Sequence, residues 1–176
     1  FAETFSQYIV EVSAGGGSER PDTDPDAQSV LFVVEGSGTL TIGTDTHDLS
    51  VGSYAYIPVN AEWTFKNPNE TPCRFHWIRK AYEWIDGIDA PPQLVTSDAA
   101  IEPLVMPDTN GAWATSRFVD PSDMRHDMAV TIVTFQPGGV IPFLETHVME
   151  HGLYVLEGKA VYNLNNDWVE VEAGDF

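Results

Sequence analysis

Positive charge is scarce in this sequence. Eight Lys and Arg stand against 27 Asp and Glu in 176 residues, a formal net charge of −19. Such a surface repels phosphate backbones and anionic lipid headgroups, which argues against nucleic acid and membrane as partners and favours solubility. Cysteine is almost missing too. The lone Cys73 leaves no internal disulfide framework and fits a reducing compartment, so a cytoplasmic protein is expected. Its Pro-flanked, strand-like setting assigns the thiol to packing rather than to nucleophilic work. No apolar run approaches the ~20 residues that a membrane helix needs, and the first residues show no basic-then-apolar leader pattern. Helical periodicity is nearly absent as well, which favours short strands in a small β-barrel. What is present is a globular composition, 43% hydrophobic and 11% aromatic, able to bury a real core.

Candidate chemistry concentrates in GVIPFLETHVMEHGLYVLEG, residues 139–158. Glu145 and His147 are two apart and His151 is four further on, so on a strand all three share one face. Glycines bracket the group at Gly138, Gly139, Gly152 and Gly158, and the residues between are largely apolar and strand-prone. A carboxylate and two imidazoles converging inside apolar β-structure form a divalent-metal pattern, and their spacing does not choose among Mn, Fe, Co, Ni and Zn. Glu150, beside His151, is expected to be merely solvated. His47 is expected in an exposed turn, His76 in a strand, and His126 on the surface; none has a partner at ligand spacing.

An internal repeat sets the architecture. At an offset of 122, Gly16-Gly17 falls on Gly138-Gly139, Glu35-Gly36 on Glu157-Gly158, Asp45 on Asp167 and Gly52 on Gly174. The first copy is expected to carry strands at residues 8–12, 29–34 and 74–79, with a hairpin across 36–48 and a strand in the Gly52–Pro58 stretch. The second is expected to have strands across 153–156, 159–164 and 168–171, preceded by one at 128–135. In the first copy Thr23, Pro25 and Ser29 stand where Glu145, His147 and His151 stand in the second, so that copy is expected to be metal-free. Three segments follow: residues 1–82, a Pro- and Asp-rich linker at 83–117, and residues 118–176. By the repeat, residues matching 55–82 are expected to follow Gly174, making the 176 residues part of a longer chain.

Gly, five residues, Glu145, one residue, His147, three residues, His151, six residues, Gly158 resembles the first motif of the cupin superfamily, with Glu and His positions exchanged. Gly52 to Pro58 resembles the opening of the second motif. ETHVMEHGLYVLEGKAVYNLNNDWVEVEAGDF resembles the C-terminal cupin of the (S)-ureidoglycine aminohydrolases, which are bicupins of purine catabolism. The resemblance implies an all-β chain of two cupin (double-stranded β-helix, or jelly-roll) barrels, the second incomplete within these residues. It implies Mn(II) held by Glu145, His147 and His151, and release of ammonia from (S)-ureidoglycine to give (S)-ureidoglycolate. Tyr162 matches a tyrosine near the substrate. A Gln ligand and a further Tyr and Lys would fall beyond Phe176. A homo-oligomer acting on a small ureido molecule is expected. The alternatives are another cupin metalloenzyme, such as a dioxygenase or isomerase, and a non-catalytic cupin that binds a small molecule.

Overall fold

The computed structural model describes residues 2–22 and 24–176. Among the described residues the regular secondary structure is almost entirely β-strand. The strands are β1 (Phe5–Val12), β2 (Ala27–Glu35), β3 (Ser37–Ile42), β4 (Asp45–Ser50), β5 (Ser53–Ile57), β6 (Trp63–Lys66) and β7 (Cys73–Ala81). They continue with β8 (Leu94–Ser97), β9 (Leu104–Val105), β10 (Trp113–Arg117), β11 (Thr131–Phe135), β12 (Lys159–Leu164) and β13 (Asp167–Glu172). One 3₁₀ turn, Asp98–Ala100, follows β8. Two compact units divide the chain, one spanning Phe5–Gly139 and the other formed by Val140–Phe176 with the N-terminal residues through Thr4.

The larger unit has a five-stranded antiparallel sheet in the order β1-β7-β2-β5-β8 and a three-stranded sheet in the order β4-β3-β6. Period-two alternation decides which side chains meet. Leu40 and Ile42 of β3 point inward while Thr39 and Thr41 are only half-buried. With Leu49 and Phe65 they pack against Leu31, Val33, Ala55, Ile57, Cys73 and Phe75 from the larger sheet. That core is the interior of the first barrel, and each fully buried Leu or Ile in it stabilises the fold by roughly 1.5–3 kcal/mol. Cys73 is fully buried there, and burial pushes its thiol pKa up, which suits packing.

The run Val30–Val34 does not alternate because both faces of β2 are covered. On the far face Val30, Phe32, Tyr54 and Tyr56 form a second core with Phe118, supported by Ile101, Met128, Val130 and Ile132. Tyr54 stacks flat on Phe118 with ring centroids 4.3 Å apart. The stretch 83–117, read above as a linker, holds β8, which extends the large sheet beside β5, and β9 and β10, which pair with each other while β10 also takes β11.

Three histidines belong to this unit. His76 is buried on the far face of β7, where burial lowers its pKa and Gln7 Nε2 lies 3.4 Å from Nδ1. His47 is half-buried within β4, not in an exposed turn, because the chain reverses earlier, at Gly43 (φ 57°) and Thr44. His126 is half-buried edge-on against Tyr56, not on the surface.

The second copy repeats local geometry of the first. β12 and β13 pair antiparallel over ranges that match β3 and β4 at the offset of 122. The reversals agree as well: Gly43 and its counterpart Asn165 share φ 57°. Gly36 and Gly158 take φ 71° and 81°, and Gly52 and Gly174 take 84° and 95°. Backbone bonds repeat too, Gly52 N–H to Val33 O and Gly174 N–H to Val155 O, each 2.9 Å. At Gly36 only glycine fits, since a Cβ would lie 2.3 Å from the Pro72 carbonyl oxygen.

The anticipated strand across 153–156 does not form; residues 140–156 are irregular. In the first copy the matching strand is β2, which is held on both sides by β5 and β7. Among the described residues 153–156 join no strand, although Val155 donates to the Asp175 carbonyl and accepts from the Gly174 N–H, each at 2.9 Å.

Candidate metal centre

Glu145, His147 and His151 lie in that irregular stretch, all exposed. Strand parity therefore does not organise them; loop geometry does. It brings the two imidazoles together, with ring centroids 4.6 Å apart and planes inclined by 55°. His147 Nδ1 is 3.0 Å from the Met149 carbonyl oxygen. A carbonyl only accepts, so Nδ1 carries the hydrogen and Nε2 keeps its lone pair for a ligand. That is the usual orienting contact of a metal-binding histidine.

Tyr162, on β12 and 36% exposed, has its phenol pKa pushed up by partial burial and then by the charge of Glu145. It therefore stays protonated at neutral pH and can donate a hydrogen bond. Among the described residues no group of three His, Cys, Asp or Glu side chains is close enough to hold a metal ion. Of the four candidates, His147 and His151 have their rings together, and the charge of Glu145 is felt at Tyr162. In donor chemistry the set fits a divalent first-row ion, with one anionic oxygen and two imidazole nitrogens, one already in the ligating tautomer.

Glu150 is not merely solvated. Its carboxylate accepts the Glu3 N–H at 2.7 Å, the Thr4 N–H at 2.9 Å and the Thr4 hydroxyl at 2.5 Å. The bond from the Thr4 hydroxyl, then those from the two amides, hold its pKa below the usual carboxylate range. No sequence signal points to this contact, because the partners are 146 and 147 positions apart.

The first copy fills the corresponding region differently. Thr23, the counterpart of Glu145, lies outside the described residues. Ser29, the counterpart of His151, is 2% exposed and accepts the Trp77 indole N–H at 3.0 Å. Beside it the Arg79 guanidinium lies 5.3 Å from the Trp77 ring centroid and bonds Asp24 at 2.6 Å, with Asp22 at 3.6 Å. Trp63 closes on Trp77 edge-on. A side-chain cation between carboxylates and aromatic walls thus occupies this end of the first barrel. Elsewhere in the same unit an open groove of about 310 Å³, lined by Ile101, Thr115, Arg117, Phe118 and Asp120 among others, contains none of the candidate residues.

Comparison with known proteins adds a lineage to this geometry. The Cupin domain family model matches residues 8–79 and 131–176. The chain is 30% identical over 173 residues to the (S)-ureidoglycine aminohydrolase of Escherichia coli, covering 98% of this chain and 65% of that one. It is 29% identical over 172 residues to the (S)-ureidoglycine aminohydrolase of Arabidopsis thaliana, covering 97% and 55%. The chain thus spans between about half and two thirds of these relatives' length. Among solved structures it is similar to a Pseudomonas aeruginosa protein described as glyoxylate-induced, with TM-score 0.92 and 63% identity over 99% of this chain and 64% of that one. It is also similar to protein Ylba of E. coli, with TM-score 0.85 and 30% identity over 98% and 67%.

Proposed function

Because this chain belongs to the cupin family, we propose that it carries the metal motif of an (S)-ureidoglycine aminohydrolase, releasing ammonia from (S)-ureidoglycine to give (S)-ureidoglycolate. The observation that carries the reading is the facing pair His147 and His151, with the Nε2 of His147 left open by its bond to Met149. The support from relatives is the 30% identity to the E. coli aminohydrolase across 98% of this chain.

In this reading Glu145, His147 and His151 hold Mn(II). The ion, when bound, would supply Lewis-acid polarisation and orient the reacting carbon. The chain's own residues do the rest. His147 would offer Nε2, its Nδ1–H being held by the Met149 carbonyl. Glu145 supplies negative charge that offsets the cation. Tyr162, whose phenol stays protonated, would donate a hydrogen bond to a substrate oxygen or pass a proton to the departing nitrogen. Water enters, ammonia leaves, and no redox partner is required. We place the protein in the cytoplasm as a homo-oligomer acting on a small ureido molecule, with neither nucleic acid nor membrane as partner.

The test is metal-resolved mass spectrometry of the purified protein followed by an ammonia-release assay on (S)-ureidoglycine. Co-purifying Mn(II) with ammonia release supports the reading. Oxygen consumption on a small substrate with bound iron would favour a cupin dioxygenase instead. Bound metal with no product from any ureido compound would point to a binding protein.

A further inference from the structure

We propose that Glu150 is a positioning residue for the two imidazoles, a latch that couples the first residues of the chain to the metal motif. The proposal rests on the metal reading given above.

Glu150 lies between the histidines in sequence, directly after Met149, whose carbonyl receives the His147 Nδ1–H, and directly before His151. Both carboxylate oxygens are engaged. Oε1 takes the Glu3 N–H, and Oε2 takes both the N–H and the hydroxyl of Thr4. Three donors from a segment nearly 150 positions away converge on one anion, an arrangement a local turn cannot produce, and hydrogen bonds to a carboxylate are the strong kind.

The surroundings offer little else to hold this loop. Val148 is 96% exposed, Leu144, Met149 and Phe143 are exposed as well, and residues 143–151 pair with no strand. Without apolar burial or a ladder, a loop keeps its shape through its polar contacts. Fixing residue 150 fixes the Met149 carbonyl on one side and the start of the His151 side chain on the other, hence both rings.

Coupling of this kind is reciprocal: if the latch favours metal binding, bound metal tightens the latch by the same factor. The test titrates manganese(II) chloride into the wild-type chain, Glu150→Ala, Thr4→Val and the double variant, reading free Mn(II) by electron paramagnetic resonance. Amide hydrogen exchange at Glu3 and Thr4 is followed with and without the ion. Each single variant is expected to weaken Mn(II) affinity about fivefold, and the double variant no further than Glu150→Ala alone. Glu150→Gln, which keeps an acceptor oxygen, should recover part of the loss. Protection of the Glu3 and Thr4 amides should rise with Mn(II) in the wild type and not in Glu150→Ala. Equal affinity in all four proteins, or losses that simply add, would overturn the latch while leaving the metal reading intact. A wild-type chain that binds no Mn(II) although its Glu3 and Thr4 amides are protected would remove the metal reading, and the positioning role with it.

Discussion

Asp127 offers the sharpest test of how the far face of the first barrel is held. One oxygen accepts Lys80 Nζ at 2.7 Å and the Glu83 N–H at 2.9 Å, and the other accepts the Gln28 side-chain amide. Lys80 and Asp127 are only 12% and 16% exposed, Gln28 is fully buried, and Gln28 in turn accepts the Tyr56 hydroxyl. Asp127→Ala would leave the buried Gln28 amide unpaired and the Lys80 ammonium with only the exposed Glu83 carboxylate. Breaking a buried pair from one side costs about 3–5 kcal/mol, which for a chain of this size lowers Tm by roughly 10 °C. Urea unfolding followed by Trp fluorescence, reporting on Trp63 and Trp77, measures the loss directly. Asp127→Asn keeps the volume and one acceptor and should fall between. Replacing both partners, Lys80→Met with Asp127→Leu, should recover most of the loss, because the buried charge disappears with its counter-charge. Burial opposes the charge on Lys80, but its bonds to Asp127 and Glu83 prevail and raise its pKa above the ordinary 10.5. The stability it contributes is therefore full below 10.5 and lost as pH climbs through the raised value. A loss under about 1 kcal/mol for Asp127→Ala would refute the view of Asp127 as a hub.

Three further outcomes are expected. His147→Ala or His151→Ala removes Mn(II) and ammonia release together, whereas Glu145→Gln weakens metal binding less; mass spectrometry showing full metal in both His variants contradicts the ligand assignment. Tyr162→Phe lowers turnover about a hundredfold with metal content unchanged, and abolishes the fall in rate as pH rises through the phenol's raised pKa; unaltered kinetics return Tyr162 to packing. His76, whose burial lowers its pKa from the ordinary 6.5, makes the fold lose stability as pH falls below 6.5, because the unfolded chain takes the proton first. His76→Phe should flatten that part of a stability-versus-pH curve, and an unchanged slope would assign the acid sensitivity elsewhere.

The first copy was legible because its signals are local. Alternation in Thr39–Ile42, the Gly43 reversal and the Gly52 turn each decide a short element by themselves, and the strands stand within a few residues of expectation. The repeat was legible for the same reason, down to matched turns at Gly43 and Asn165. Other features depended on distant partners and left no trace in the sequence. The 153–156 stretch reads as a strand, yet strand propensity means little without a neighbour to pair with. His126 looks polar and free until Tyr56 covers it, and Glu150 looks solvated until residues 3 and 4 arrive. The stretch 83–117 reads as a linker since its strands are short and interrupted by proline, although β8 completes an edge of the main sheet.

The strand order β1-β7-β2-β5-β8 also determines when this chain can fold during synthesis. Phe5 at the start of β1 pairs with Lys80 near the end of β7, so β1 waits for some seventy residues to emerge before any of its ladder closes. At about 5–20 residues per second on the ribosome, that is a delay of several seconds. β2 can pair with β5 sooner, but its other edge waits for β7. The hairpin β12–β13, with a reversal of two residues, forms within about 1–10 µs of leaving the exit tunnel. The molecule therefore assembles its second copy's hairpin almost as it is made. Its first barrel stays open until β7 arrives, and during that interval the β7-facing edge of β2 is open to whatever chaperones or neighbouring chains are nearby.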